Sequence, residues 1–172
     1  MEELLGIIKG RRSIRRFKPD PIPEEDLVEV LEAATWAPSA GNAQPWRFVV
    51  VRDPELRGKL VAAALGQGFI AEAPVVVVVC VDLERARRAY GERGETLYCI
   101  QDTAAATQNM LLIAHAKGLG TCWVGAFSEE KVRTALALPE GLRPVAIVPM
   151  GRPAEEPRPR PRRPLEEVVE YR

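Results

Sequence analysis

Seven consecutive residues, Val75-Val76-Val77-Val78-Val79-Cys80-Val81, carry small or β-branched apolar side chains without one polar interruption. Successive side chains of a strand point to opposite faces, so a run with no polar alternation leaves neither face for water. The run is strand-sized, far below the ~18 residues that a membrane span needs. The rest of the chain therefore has to cover both faces of a central strand. At 172 residues the chain is one ordinary domain that can bury roughly 70% of its unfolded surface. Its 47% hydrophobic and 28% charged residues fit a soluble globular protein.

The segments around the valine run alternate between helix and strand patterns, which predicts a layered α/β-type core. Leu4, Leu5, Ile7 and Ile8 define a short amphipathic helix ending near Gly10. Leu27, Val30, Leu31 and Ala34 recur at helical spacing after the acidic start Glu24-Glu25-Asp26, and Pro38 stops that helix. Trp46 to Arg52 reads as a strand and Glu55 to Leu65 as a helix broken by Gly66 and Gly68. Asp82 to Glu95 is charged and reads as a loop or short helix. Thr96 to Lys117 is the longest helix, apolar around most of its circumference, as expected at the centre of a core or in a subunit interface. Leu119 to Val124 reads as a strand, Glu129 to Leu136 as a helix and Pro144 to Met150 as a strand. Residues 1–151 form the expected body. Residues 152–172 form an arm, in which Arg152 to Pro164 holds five prolines and five arginines in thirteen positions. That composition excludes helix and central strand, so the arm is expected to be extended and to reach away from the body. Apolar Leu165, Val168 and Val169 give its end a reason to dock, possibly on a second subunit.

Charge and cysteine arithmetic exclude several function classes. The 24 basic and 24 acidic residues cancel, so no net field attracts a nucleic acid or an anionic membrane. Cys80, Cys99 and Cys122 are odd in number, widely spaced and set among apolar residues, which argues against a disulfide framework or a zinc site. A single histidine, His115, rules out a multi-histidine metal site and reads as structural. The opening Met1-Glu2-Glu3 lacks the basic start and apolar stretch of a secretory signal, and a cytoplasmic protein is expected. No G-x-G-x-x-G follows a strand and no Walker loop occurs; Gly66-Gln67-Gly68 and Gly118-Leu119-Gly120 read as helix ends.

Three constellations can carry chemistry. The basic residues are five lysines against nineteen arginines, and the planar arginine fork suits bidentate phosphate contact. In Arg11-Arg12-Ser13-Ile14-Arg15-Arg16 the guanidinium groups, a hydroxyl and backbone N–H groups are spaced for a phosphate with a polar chain attached; a solvated basic patch has the same composition. In Ala37 to Trp46, small residues allow close backbone approach while Asn42 and Gln44 supply amides; a structural loop anchored by a core Trp46 is the plainer reading. The third is the arginine-proline arm, either a disordered basic tail or a strap whose arginines meet the first cluster on one phosphate.

In this order and spacing, RRSIRRF (11–17), APSAGNAQPW (37–46), APVVVVV (73–79), GLGTCWVG (118–125), MGRP (150–153) and RRPLEEVV (162–169) resemble the FMN-dependent nitroreductase family over essentially the whole chain. The resemblance implies an α+β fold, with a central mixed or antiparallel sheet flanked by helices and a C-terminal arm extending onto the partner subunit. It implies a homodimer with FMN at the interface, using NAD(P)H to reduce a small oxidised acceptor, and neither a nucleic acid nor a membrane as partner. Carried over, Arg11, Arg12 and Ser13 would hold the phosphate and ribityl chain, and Arg15 would approach the pyrimidine edge. Pro38, Ser39 and Asn42 would line the ring from the partner chain. Trp123, Val124 and Gly125 would put backbone N–H near the reactive ring nitrogen. Arg162 would clamp the phosphate with Arg160 and Arg163 as helpers, and Gln67 would face the flavin. The chain is short for the family, so Asp82 to Glu95 would supply any lid. Val124 stands where some members carry an acid, which leaves a backbone contact. A reductive dehalogenase, a flavin-destroying oxygenase, a non-catalytic flavin protein and a basic-armed binding module are alternatives compatible with the same residues.

Overall fold

A computed structural model describes residues 2–172. Seven α-helices and four strands are described: α1 (Glu2–Gly10), α2 (Glu24–Thr35), β1 (Trp46–Val51), α3 (Pro54–Ala63), α4 (Phe69–Glu72), β2 (Val75–Asp82), α5 (Leu83–Arg93), α6 (Cys99–Ala116), β3 (Gly120–Thr121), α7 (Glu129–Ala135) and β4 (Leu142–Gly151). The sheet order is β1-β2-β4-β3. Every neighbouring pair is antiparallel, and one isolated parallel bridge joins Ser13 to Thr121. The layers expected from alternation are present, but the strand directions make the fold α+β, as the family resemblance implied.

The valine run explains the layers. Val75, Val77 and Val79 join a core with Leu27 and Val30 of α2 and Ala106, Met110 and Ala114 of α6. Val76, Val78 and Cys80 point the other way, into a core with Leu60 of α3, Ile70 of α4 and Val132 of α7. All six are fully buried or nearly so, and each such side chain contributes about 1.5–3 kcal/mol. On β4 the same alternation places Ala146 and Val148 in the first core and Ile147 in the second. Pro144 sits at a register shift opposite Val79 and Cys80, a bulge that tolerates a residue without an N–H.

Three segments differ from the sequence reading. Asp82 to Glu95 is a helix, because Asp82 caps it by accepting the Arg85 N–H at 2.9 Å. It is interrupted at Tyr90 and Gly91 and runs through a π-turn, Gly94–Tyr98, into α6. The strand expected over Leu119 to Val124 shrinks to Gly120–Thr121 plus one bridge from Val124 to Ile147. The arm does not simply leave the body. Lys18 N–H donates to Arg152 O and Ala154 N–H to Arg16 O, each at 2.9 Å, and Phe17 bridges Pro153. The non-proline positions between the prolines still have donors, and they pair with the segment after α1. Beyond Arg163 the arm is exposed, Leu165 by 67% and Tyr171 by 90%. Among the described residues, no helix is long and apolar enough to cross a membrane.

Candidate functional site

The segment after α1 alternates anchors and arginines. Ile14 and Phe17 are buried, while Arg15 and Arg16 between them are exposed. Ile14 N–H donates to Thr121 O at 2.9 Å. Gly120 is required there, since a Cβ at that position would lie 2.8 Å from Ile14 Cγ1. Arg12 turns back to donate to the carbonyls of Lys9 and Arg11, which caps the negative end of α1. The arm crosses this segment and is fastened by Glu155, whose carboxylate accepts the Arg15 N–H.

Between segment and arm lies a cavity of about 240 Å³. Arg11, Arg12, Ser13 and Arg15 line one wall, and Pro157, Arg158, Arg160 and Arg162 line the other. The two arginine clusters, at opposite ends of the sequence, thus meet in one chain. Alternation in the extended Arg158-Pro159-Arg160-Pro161-Arg162 stretch places its three arginines on one side. Arg163 falls on the other side, where it pairs with Glu167 at 3.1 Å and donates to its carbonyl at 2.9 Å. Sequence reasoning missed Arg158; its two-residue spacing from Arg160 and Arg162 was the available signal.

The cavity is rich in unpaired positive charge. Among the described residues, no carboxylate forms an ion pair with the side chains of Arg11, Arg12, Arg15, Arg158, Arg160 or Arg162. Burial, then the charges of Arg162 and Arg12, pushes the Arg11 guanidinium below its ordinary value. Like charges gathered in one cleft disfavour the empty state and favour an anion. A phosphate with its close to two negative charges fits this donor set, with the Ser13 hydroxyl beside it. His115 lies nearby against Gly10, and burial followed by Arg11 and Arg12 lowers its pKa, which keeps the imidazole neutral.

The other expected residues lie outside that cavity. Val124 exchanges both backbone hydrogen bonds with Ile147, at 2.9 and 3.0 Å, so its N–H is committed to the sheet. The N–H groups of its neighbours Trp123 and Gly125, both exposed, have no protein acceptor among the described residues. Gln67 donates to Ala64 O at 3.0 Å and Ala126 O at 3.1 Å, which ties the turn before α4 to the 122–127 segment. Cys122 is buried, and its burial raises the thiol pKa against the opposing effect of Arg15, so it is held as the inert thiol. Pro38, Ser39 and Asn42 belong to a tight loop away from the arginine wall. There Gln44 N–H donates to Ser39 Oγ at 3.0 Å and Ala40 N–H to Asp102 Oδ1 at 3.0 Å. Trp46 is buried in the first core, the anchor role weighed for it. Among the described residues, no group of histidine, cysteine or acidic side chains is arranged to hold a metal.

Comparison with known proteins agrees with this architecture. The model of the nitroreductase family matches residues 8–69 and 62–152. A protein named NADH dehydrogenase from Thermus thermophilus is 41% identical over 94% of this chain and 92% of its own. A Bacillus subtilis protein named FMN reductase [NAD(P)H] is 30% identical over 98% of this chain and 73% of its own. The solved structure of an NADPH:FMN oxidoreductase from Vibrio harveyi, complexed with NAD+, superposes with a TM-score of 0.90 at 30% identity, covering 98% of this chain and 76% of that one. With the sheet order, the arginine cleft and these matches in hand, the chain belongs to the nitroreductase family.

Proposed function

We propose that the chain is an NAD(P)H-dependent FMN oxidoreductase that acts as a homodimer and reduces nitroaromatics, quinones or similar acceptors by a ping-pong mechanism. The observation that carries this reading is the cleft of unpaired arginines built from both ends of one chain. It suits a phosphate group at neutral pH. The names of the relatives supply the flavin and nicotinamide part of the reading.

When bound, FMN supplies the hydride-accepting and hydride-donating chemistry. The residues of the chain bind, orient and tune. Arg11, Ser13, Arg160 and Arg162 hold the phosphate, with Arg158 as a further donor and Arg12 fixing the end of α1. Arg15, pinned through its N–H by Glu155, places positive charge at the pyrimidine edge, where it favours the reduced, anionic ring. The free N–H groups of Trp123 and Gly125 face the ring, and Gln67 braces their segment. Pro38, Ser39 and Asn42 line the ring of the other subunit's flavin. The exposed apolar tail, Leu165, Val168, Val169 and Tyr171, packs on the partner. Nicotinamide and acceptor use the same open face in turn, so no separate dinucleotide fold is needed.

The test is optical. Purified protein takes up FMN, bleaches on addition of NADH or NADPH, and recovers colour with a nitroarene or quinone; initial rates at several fixed acceptor concentrations give parallel reciprocal plots. Protein that takes up no FMN, or flavin that stays oxidised with both nicotinamides, contradicts the proposal.

A further inference from the structure

The loop read above as flavin-lining follows a backbone path that side chains normally avoid. Gly41, Asn42 and Gln44 have φ of 53°, 55° and 50°. Two of the three carry a Cβ, and this left-handed region is disfavoured for them. Such conformations persist where neighbours enforce them, and they concentrate at functional sites.

Here the neighbours are identifiable. From α6, Asp102 Oδ1 accepts the Ala40 N–H at 3.0 Å. Asp102 is only 7% exposed and has no cationic partner among the described residues. From α5, the Arg85 guanidinium donates through Nε to the Ala43 carbonyl. Tyr90, on the same element, closes over Gly41, where a Cβ would lie 2.5 Å from the tyrosine hydroxyl. The loop is therefore gripped at both ends by two elements that are neither part of it nor part of the arginine cleft. A buried, uncompensated carboxylate is costly, and a grip on Ala40 is the one contact it makes here.

We infer that Asp102 and Arg85 are positioning residues, two clamps that hold Ala40 and Ala43 and so fix where Ser39 and Asn42 present their polar atoms to the flavin. This rests on the proposed function, in which that loop lines the ring. Both residues act through the loop backbone.

The experiment compares Asp102→Ala, Asp102→Asn, Arg85→Ala and Arg85→Lys by two readouts. Amide hydrogen exchange at Ala40 and Gln44 in the flavin-free chain reads the loop alone. The visible circular dichroism and midpoint potential of bound FMN read what the loop does to the ring. Asp102→Ala should speed Ala40 exchange by about tenfold or more and alter both flavin signals. Asp102→Asn, whose amide oxygen can accept the same N–H, should stay close to wild type in both. Arg85→Ala should move both readouts in the same direction, with partial rescue in Arg85→Lys. Unchanged Ala40 exchange in Asp102→Ala overturns the inference, as does Asp102→Asn behaving like Asp102→Ala. A loop that loosens while the flavin signals stay put also overturns it, because the clamps then serve only the loop. Should Asp102→Ala fail to fold, Arg85→Ala decides: its side chain is exposed, and unchanged exchange with unchanged flavin signals is then the refuting result. FMN uptake by wild-type protein, measured first, tests the proposed function separately.

Discussion

Replacing Arg162 by alanine separates phosphate clamping from generic basicity. In the flavin-free chain Arg162 lines the cleft beside Arg11 and Arg12, makes no ion pair, and adds to the repulsion felt by Arg11. Its side chain donates only to the neighbouring carbonyls of Arg160 and Pro161, each at 3.2 Å. Arg162→Ala should therefore leave the flavin-free protein as stable as wild type or slightly more so. With FMN bound, the lost contact is a charge-assisted hydrogen bond, about 1.5–3 kcal/mol in general, and the lower half of that range applies to a solvent-facing arginine. The dissociation constant should rise about 10- to 30-fold, each 1.4 kcal/mol being a factor of ten. Arg163→Ala is the matched control: it removes the same charge one position away, from a side chain engaged with Glu167, and should change affinity by less than about threefold. The assay is titration of flavin-free protein with FMN, followed by flavin fluorescence, with thermal unfolding of each flavin-free variant alongside. Unchanged affinity in Arg162→Ala, or equal losses in the two variants, would refute the reasoning, since bulk charge rather than placement would then govern binding.

Other consequences concern the scaffold and its titration. Leu60→Ala opens a cavity beneath Val76 and Val78 at a fully buried site and should cost about 2–5 kcal/mol in denaturant unfolding. Gly94→Ala places a methyl 2.3 Å from the Ala86 carbonyl oxygen; backbone cannot swing aside as a side chain can, so a loss of about 3 kcal/mol is expected by the same measurement. For Asp102, burial raises the folded-state pKa above the ordinary value of 3.8, with the Ala40 N–H opposing. Its contribution to stability is thus most favourable below the unfolded value and is lost as pH rises through the folded one. Asp102→Asn should then be at least as stable as wild type at pH 7, with the gap closing as pH falls below about 4; a gap that widens on acidification would reverse the assignment.

The fold was legible where burial leaves no choice. The valine run dictated a doubly covered strand, and its two alternating sets feed the two cores. Helix α5 was harder to read because only Ala86 of its residues is buried; a charged helix on a surface has no apolar stripe, and the Asp82 cap was the remaining signal. The segment from Leu119 to Val124 is apolar enough for a strand, yet only Gly120 and Thr121 pair as one. Apolar character reports burial, whereas strand identity needs a partner in register. At the candidate site, the residue types named the chemistry but left the geometry open. Extended-chain alternation puts Arg158 on the cleft wall and Arg163 off it. Composition showed that the arm is extended, while only the hydrogen bonds to Arg16 and Lys18 show where it lies. The strain at Asn42 and Gln44, and the grip of Asp102 and Arg85 on their loop, are long-range facts with no local sequence signature.

The central claim is that arginines from both ends of the chain converge on one phosphate. A crystal structure of the FMN-loaded protein tests it most directly. The account predicts phosphate oxygens within about 2.7–3.2 Å of donors on both Arg11 or Ser13 and Arg160 or Arg162. A phosphate held by the Arg11–Ser13 segment alone, with the arm's arginines turned to solvent, would contradict it.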